Sequence, residues 1–192
     1  MIAGHFGFAA AVKAKEPTVP LWSLMLATSW LDVVFIPLFL SGIETIEPAA
    51  DATGPYGASI IHANYTHSLV GAVLLSAIFG AVLGALWGRR AGVVLGLVAF
   101  SHWVLDLVVH RADLPLLPGN AGGIAFGFGL WRYPAASAVI ELAIVLAGSW
   151  LYWRAARAVA GERQRGRADL AAGLLLVFGV GSLAADLTGF LA

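Results

Sequence analysis

The sequence predicts an all-α integral membrane protein, a bundle of about five transmembrane helices with a short N-terminal half-helix. Hydrophobic residues make up 60% of the 192 residues and charged residues 11%, whereas soluble domains average about 25% charged residues. Mean hydropathy is +0.87, and the apolar residues gather into runs near the ~20 residues that cross a bilayer. We therefore expect residues 1–192 to form a single transmembrane helical domain.

The charge balance and the cysteine count exclude several classes of function. Net charge is zero, which gives no indication of a nucleic-acid partner. The chain has no cysteine, which excludes disulfides, cysteine-ligated zinc, iron–sulfur clusters and thiol nucleophiles. The lipid bilayer is the partner that the composition predicts.

The N-terminal half-helix is predicted in the stretch MIAGHFGFAAAVKAKEP. Lys13 and Lys15 follow its apolar part, whereas a signal peptide carries its basic residues before the apolar part. The apolar part is also too short for a full span. We expect it to enter the bilayer with its N-terminus buried, which places His5 near mid-membrane.

Five full spans follow along the chain. In the second, Gly80, Gly84 and Gly88 lie on one face, where small residues let helices approach closely. Packing within the bundle is the favoured interpretation, with a dimer interface as the alternative. The predicted spans cover residues 19–41, 66–87, 91–110, 134–152 and 169–190.

Basic residues predict the orientation of the spans. They lie before the first span, between the second and third, and between the fourth and fifth, so these three connections fall on one side. Because cytoplasmic loops carry the excess of lysine and arginine, we expect a multi-pass protein of the bacterial inner membrane with these loops in the cytoplasm. The opposite side has an acidic loop over residues 44–57 and a glycine-rich loop over residues 111–133.

Four ionisable residues occupy and follow the third span, in the stretch SHWVLDLVVHRADLP. Because four residues advance the face of an α-helix by only about 40°, His102, Asp106 and His110 share one stripe. Asp113 joins this stripe if the helix continues. A charge in hydrocarbon costs roughly 2.5–3.5 kcal/mol, so these groups need partners from other spans.

Further ionisable residues are expected at a similar depth. His62 and His67 flank the outer entrance to the second span. Asp32 lies near the middle of the first span, and Glu141 lies one or two turns inside the fourth. Each residue alone could have a packing or helix-end role. Together they favour a functional site, because histidine and carboxylate are good ligands for zinc, manganese or iron and ionisable groups in a membrane usually line a cavity.

The stretch HANYTHSLVGAVLL resembles the H-R-G-x-T-H-S signature of YdjM-like inner-membrane proteins, a family described as metal-dependent hydrolases. GHFGFAAAV resembles that family's early Gly-His element, SHWVLDLVVH its His-x3-Asp helix and DLPLLPG the following segment. Order and spacing agree over about residues 4–118. The resemblance implies a metal-dependent membrane enzyme.

Two departures from the family pattern concern the metal site. Ala63 stands where the signature has arginine, and LDVVFIP keeps Asp32 but has Val34 and Phe35 where a second aspartate and a histidine are expected. The chain is then either a divergent enzyme with one metal ion or a member that kept the fold without the chemistry.

The leading hypothesis is a membrane-embedded metal-dependent hydrolase with a His/Asp site near the outer leaflet, acting on a lipid or amphiphilic ester or phosphoester. Its cofactor is a divalent metal ion, zinc first and manganese or iron as alternatives, which acidifies a water molecule. The alternatives are a haem- or pigment-binding module and a non-catalytic subunit with a partner in a membrane complex. The candidate metal ligands are His5, Asp32, His62, His67, His102 and Asp106, and the candidates for general base or orienting residue are Glu141, His110 and Asp113.

Overall fold

The structure, a computed structural model, describes residues 1–190 as a helical bundle with two small hairpins. With 69% of residues helical, the predicted all-α membrane bundle is confirmed. The antiparallel hairpins pair β1 (Thr45–Pro48) with β2 (Ser59–His62) and β3 (Leu114–Pro115) with β4 (Ala125–Phe126). The helices are α1 (Ile2–Lys15), α2 (Leu21–Thr28), α3 (Trp30–Leu40), α4 (Leu69–Trp87), α5 (Arg89–Val109), α6 (Pro134–Val159) and α7 (Arg165–Thr188).

Among the described residues, the helices α4 to α7 are long and apolar enough to cross a membrane, and α2 and α3 are so together, as a pair bent by 49°. The first span, expected over residues 19–41, is therefore a broken helix rather than a continuous one. At the break, the Thr28 carbonyl accepts a hydrogen bond from His102 Nδ1 at 2.7 Å. A side chain of α5 thus satisfies a carbonyl at the end of α2.

α5 is the central helix of the bundle. In the most apolar 18 residues of α5, 44% are buried inside the protein, whereas this share is at most 28% in α4, α6 and α7. It contributes to three separate apolar clusters, through Leu95, Trp103 and Val109. The polar stripe of α5 therefore faces other helices, and His102 and Asp106 are only 1% and 3% exposed.

α1 has the dimensions of a half-helix and packs in parallel against α6. Its 14 residues extend about 21 Å at 1.5 Å per residue, which is less than the ~30 Å hydrocarbon core. Gly7 lies against the α6 backbone, where an added Cβ would come within 2.7 Å of the Ile144 carbonyl oxygen. Gly148, one turn further along α6, faces the Gly7 carbonyl in the same way. This contact brings the start of α1, with His5, into the bundle.

Glycines also set the packing of α4 against α5. A Cβ added at Gly80 would lie 2.7 Å from the Gly92 carbonyl oxygen, and one at Gly84 would lie 3.3 Å from Gly92 Cα. The prediction that Gly80 and Gly84 pack within the bundle is confirmed. Gly88 has a different role, because it ends α4 with a φ of +94° that favours glycine.

The two hairpins and their loops cover one end of the bundle, and a buried arginine fixes them. Arg111 Nε donates to Asp51 Oδ1 at 2.9 Å and its Nη1 donates to the Gly57 carbonyl at 2.6 Å. Arg132 Nε donates to the other oxygen of Asp51 at 3.0 Å. Desolvation opposes ionisation of Asp51, but the two guanidinium groups outweigh it and lower the pKa of this carboxyl. The loop over residues 44–57 is thereby held close to the helices.

Candidate metal centre

Ionisable side chains from α3, α5 and the start of α4 converge inside the bundle. His102 Nε2 lies 3.0 Å from Asp106 Oδ2 and 3.2 Å from His67 Nε2. Asp32 Oδ1 lies 3.4 Å from His102 Nε2 and 3.5 Å from His67 Nε2. His67 Nε2 is 3.8 Å from Asp106 Oδ2. The ligand group formed in this way consists of Asp32, His67, His102 and Asp106.

The spacing around His102 fits a metal ion. Bonds of about 2.0–2.2 Å to nitrogen and oxygen place neighbouring tetrahedral ligands roughly 3.3–3.6 Å apart, and five of the six separations in the ligand group run from 3.0 to 3.8 Å. Two triads that share His102, one with Asp32 and His67 and one with His5 and Asp106, have their ligand atoms within 4.8 Å of one another. His67, His102 and Asp106 are at most 4% exposed. The Asp32 side chain is 44% exposed and leaves one side of the group open. A divalent cation would balance two carboxylates in a site that is otherwise poor in positive charge.

The tautomer of His102 suits a metal ligand. Its Nδ1 lies 2.7 Å from the Thr28 carbonyl oxygen, and a carbonyl can only accept. Nδ1 therefore carries a proton, and in the neutral ring Nε2 is the nitrogen left to bind a metal ion. Metal-binding histidines commonly have their second nitrogen fixed in this way. The break between α2 and α3 exposes the carbonyl that does so.

The backbone around His67 is held by a helix cap and a tryptophan. Ser68 precedes α4, and its Oγ accepts a hydrogen bond from the Gly71 amide at 3.1 Å, as N-cap serines do. Trp103 Nε1 donates to the His67 carbonyl at 2.9 Å. Because Trp103 follows His102 directly, this bond joins the start of α4 to the turn of α5 that carries the ligands.

His5 borders the ligand group from α1. Its Nε2 lies 3.1 Å from Asp106 Oδ1, and its ring stacks on that of His102 with centroids 3.9 Å apart. His5 Nδ1 is buried without a hydrogen-bond partner among residues 1–190. Nε2 can donate to Asp106, or, without its proton, it can join His102 and Asp106 as a ligand.

His110 and Asp113 form a pair beside the ligand group. His110 Nδ1 lies 3.0 Å from Asp113 Oδ1, and its Nε2 lies 3.8 Å from Asp106 Oδ2. Asp113 Oδ2 accepts a hydrogen bond from the Ile61 amide at 3.2 Å, so the carboxylate is anchored to β2. Of the two predicted residues, His110 lines the cavity beside the ligand group, and Asp113 joins His110 to β2.

The structure does not bring His62 to the ligand group, which corrects its prediction as a ligand. His62 ends β2, where it pairs with Thr45 of β1, and its Nε2 lies 2.9 Å from Glu47 Oε1. Its side chain is 39% exposed. The hairpin turns this residue outward, although it is close to His67 in sequence.

Glu141, predicted as a general base or orienting residue, lies outside the ligand group and bonds to α1 and to the loop before β2. It is fully buried, and its Oε1 accepts a hydrogen bond from the Gly4 amide at 2.9 Å. Its Oε2 accepts one from the Tyr56 hydroxyl at 2.6 Å. Burial and the adjacent Glu141 carboxylate raise the pKa of Tyr56, so this hydroxyl keeps its proton. Both oxygens of Glu141 are therefore engaged in holding α1 and the loop before β2.

The sequence predicts Glu44 only as part of an acidic outer loop and not as a residue of the site. The structure buries this residue completely. Its Oε1 accepts hydrogen bonds from the Tyr65 amide at 2.8 Å and the Thr66 amide at 2.9 Å, and its Oε2 accepts one from Thr66 Oγ1 at 2.8 Å. No signal in the sequence distinguishes it from the exposed Glu47 nearby.

A cavity of about 380 Å³ adjoins the ligand group and also receives His5 and His110. Phe35 and Ile36 of α3 line one side, and Asp186 near the end of α7 lines another. Ile36 is 54% exposed, so the cavity reaches the surface beside α3. Asp186 therefore shares this space with the ligand group.

Comparison of the chain with protein-family models, with curated proteins and with solved structures finds no match. The resemblance to YdjM-like proteins accordingly stays a prediction. The geometry of the ligand group and its cavity is therefore the main indication of function.

Proposed function

We propose that this membrane protein is a metal-dependent hydrolase that acts on an amphiphilic ester or phosphoester. The observation that carries the proposal is the convergence of the ligand group at the wall of an open cavity, where the ligand atoms of Asp106, His67 and Asp32 lie 3.0–3.4 Å from His102 Nε2. Imidazole with carboxylate suits zinc, manganese and iron, and zinc is the first candidate. When bound, the ion supplies a Lewis acid that polarises the scissile group and acidifies a water molecule.

His110 is the proposed general base. In hydrolysis, a water oxygen forms a bond to the carbonyl carbon or phosphorus, the bond to the leaving oxygen breaks, and the water loses a proton. His110 Nε2 faces the cavity and accepts this proton, and the ion pair of Nδ1 with Asp113 at 3.0 Å favours the resulting imidazolium. The same proton is then available to the leaving oxygen.

The position of the cavity supports an amphiphilic substrate. Phe35 and Ile36 present apolar surface at the mouth, on a helix pair that is apolar enough to form a span. A lipid tail can therefore remain against α3 while its polar group reaches Asp32 and the buried ligands. We place the site near the outer leaflet of a bacterial inner membrane, with the basic loops in the cytoplasm.

The geometry disfavours the haem- or pigment-binding alternative. Nε2 atoms of His67 and His102 lie 3.2 Å apart, which leaves no plane for a macrocycle between two axial nitrogens. Asp32 and Asp106 occupy positions beside this pair. An absorption spectrum of the purified protein tests this point directly.

Metal content of the detergent-purified protein tests the ligand group. We expect about one divalent ion per chain, and a severe loss in His67→Asn and in Asp106→Asn, because each variant removes a ligand. The matched controls are His62→Asn, a histidine held by the hairpin, and Asp186→Asn, an acid in the same cavity. Both controls should keep the wild-type metal content.

Hydrolysis of p-nitrophenyl esters and bis-p-nitrophenyl phosphate in micelles tests the reaction. We expect activity that a chelator removes and zinc restores, and a fall of about 10²–10⁴-fold in His110→Asn. Full metal content in both ligand variants would contradict the metal centre. Metal binding without hydrolysis of either probe would instead favour the non-catalytic subunit.

A further inference from the structure

Glu44 is a fully buried carboxylate whose three donors all belong to Tyr65 and Thr66. An ionised carboxylate has no hydrogen to donate. Thr66 Oγ1, at 2.8 Å from Glu44 Oε2, must therefore point its hydroxyl hydrogen at Glu44. In any further hydrogen bond, the Thr66 hydroxyl can therefore only accept, through its lone pairs.

Because Thr66 Oγ1 can only accept, it determines which nitrogen of His67 carries the proton. Thr66 Oγ1 lies 2.8 Å from His67 Nδ1, and with its hydrogen already used, Thr66 can only accept from this nitrogen. His67 Nδ1 therefore carries the proton, and Nε2 is left with a lone pair. The hydrogen bonds from Glu44 through Thr66 thus place the proton of His67 on Nδ1, as the Thr28 carbonyl does for His102.

The consequence is that two lone pairs face one another. Nε2 of His67 and Nε2 of His102 are 3.2 Å apart, and the partners of both rings hold the protons on the Nδ1 atoms. Two neutral rings in this arrangement need a positive charge between their Nε2 atoms, either an added proton or a metal ion. If His67 had the opposite tautomer, its Nε2 would donate a hydrogen bond to His102 Nε2, and the two histidines would be satisfied without a metal ion.

We infer that Glu44 is a positioning residue, which acts through Thr66 to hold His67 in the tautomer that can bind a metal ion. This inference rests on the proposed metal centre. Glu44 itself stays out of the ligand group and needs no contact with ion or substrate. Residues that orient a ligand in this manner typically change metal affinity by 10–100-fold when they are replaced.

Glu44→Gln tests the inference with almost no change in shape. A glutamine can accept the two backbone amides through its oxygen, but its NH2 then donates to Thr66 Oγ1, which turns the hydroxyl hydrogen toward His67 Nδ1. We expect zinc affinity, measured by competition with a chelating dye, to fall about 10–100-fold. Glu47→Gln, on the same hairpin with a side chain that is 58% exposed, should bind zinc as the wild type does.

Nitrogen NMR of the metal-free, ¹⁵N-histidine-labelled protein reads the tautomer itself, with His67→Asn to assign the resonances. We expect Nδ1 of His67 to be protonated in the wild type and in Glu47→Gln, and unprotonated in Glu44→Gln. Unchanged His62 and His110 resonances in Glu44→Gln show that the fold is kept and that the change is specific to His67.

Variants of Thr66 provide a second route if Glu44→Gln folds poorly. Thr66→Val removes the hydroxyl and should lower zinc affinity to a similar degree, whereas Thr66→Ser keeps the hydroxyl and should preserve it. The double variant Glu44→Gln/Thr66→Val should lose no more than either single variant, because both break the same chain.

Two results would overturn the role of Glu44: a His67 Nδ1 that stays protonated in Glu44→Gln, or unchanged zinc affinity in both Glu44→Gln and Thr66→Val. Failure of the wild type to bind zinc would contradict the proposed metal centre instead. The NMR comparison uses metal-free protein, so it decides the role of Glu44 in either case.

Discussion

Glu141 accepts hydrogen bonds from two buried donors, the Gly4 amide and the Tyr56 hydroxyl. Gly4 lies in the first turn of α1, where backbone amides have no acceptor within the helix. A carboxylate at this end also interacts favourably with the helix dipole. One buried acid thus stabilises the N-terminus of a helix that is too short to reach water on both sides.

Glu141→Gln should therefore lower stability and preserve metal content. The neutral amide weakens two charge-assisted hydrogen bonds, and hydrogen bonds to a charged group are worth about 1.5–3 kcal/mol each. Thermal or denaturant unfolding in detergent measures this loss. Glu162→Gln, in the exposed connection between α6 and α7, is the control. A stable Glu141→Gln variant that has lost hydrolysis would restore the catalytic role.

The sequence predicts how deep the site residues lie in the membrane, but not the direction in which their side chains point. Positions along the spans placed Asp32, His67, His102 and Asp106 at a common level, and the structure brings them together. His62 has a suitable position too, but the hairpin turns it away. Which side a loop residue faces depends on pairings between distant segments, and hydropathy carries no information about those pairings.

At the scale of elements, α1 depends on one close backbone contact. Gly7 and Gly148 let α1 and α6 approach so closely that a side chain at either position would meet the other helix. Small residues serve this purpose in membranes, where helix association relies on packing because lipid is as apolar as the side chains.

Gly148→Ala should separate the two helices and destabilise the protein. The added methyl group would meet the Gly7 carbonyl, and such overpacking costs about 1–3 kcal/mol. Gly173→Ala on α7 is the matched control, because an added Cβ there meets nothing within 4 Å. That control should be neutral or up to about 1 kcal/mol more stable. Equal stabilities of the two variants would show that the contact is unimportant.

The break between α2 and α3 could not be predicted from the local sequence. The only proline in α3 is Pro37, well past the break at Ser29. The break is stabilised instead by the hydrogen bond of the Thr28 carbonyl with His102, which lies 74 residues away. Long apolar runs therefore identified the spans, while an interaction between spans decided where one of them bends.

At the scale of the whole molecule, the bundle has one basic end. Glu16, just after α1, pairs with Arg90 at the start of α5 through hydrogen bonds of 3.1 Å. α1 and α6 run in parallel, so the basic connection after α6 is expected at that end too. The hairpins and the acidic loop lie at the opposite end, next to the cavity.

Cysteine labelling tests the orientation of the whole bundle, and the absence of native cysteine makes each introduced residue unique. We expect an impermeant maleimide to label Ala52→Cys in intact bacterial spheroplasts, and Arg163→Cys only after lysis. This follows from the excess of basic residues in cytoplasmic loops. The reverse pattern, or labelling of both positions before lysis, would contradict the orientation.

The parallel docking of α1 on α6 also sets an order of assembly during synthesis. Translation delivers α1 first, yet the acceptor of its Gly4 amide, Glu141, emerges 137 residues later. All four members of the ligand group precede α6 in the chain, so they can meet in the membrane while α1 still lacks its partner. The Gly4 amide, in the first helix made, therefore waits for the sixth helix, whereas His5 can already contact α2 and α5.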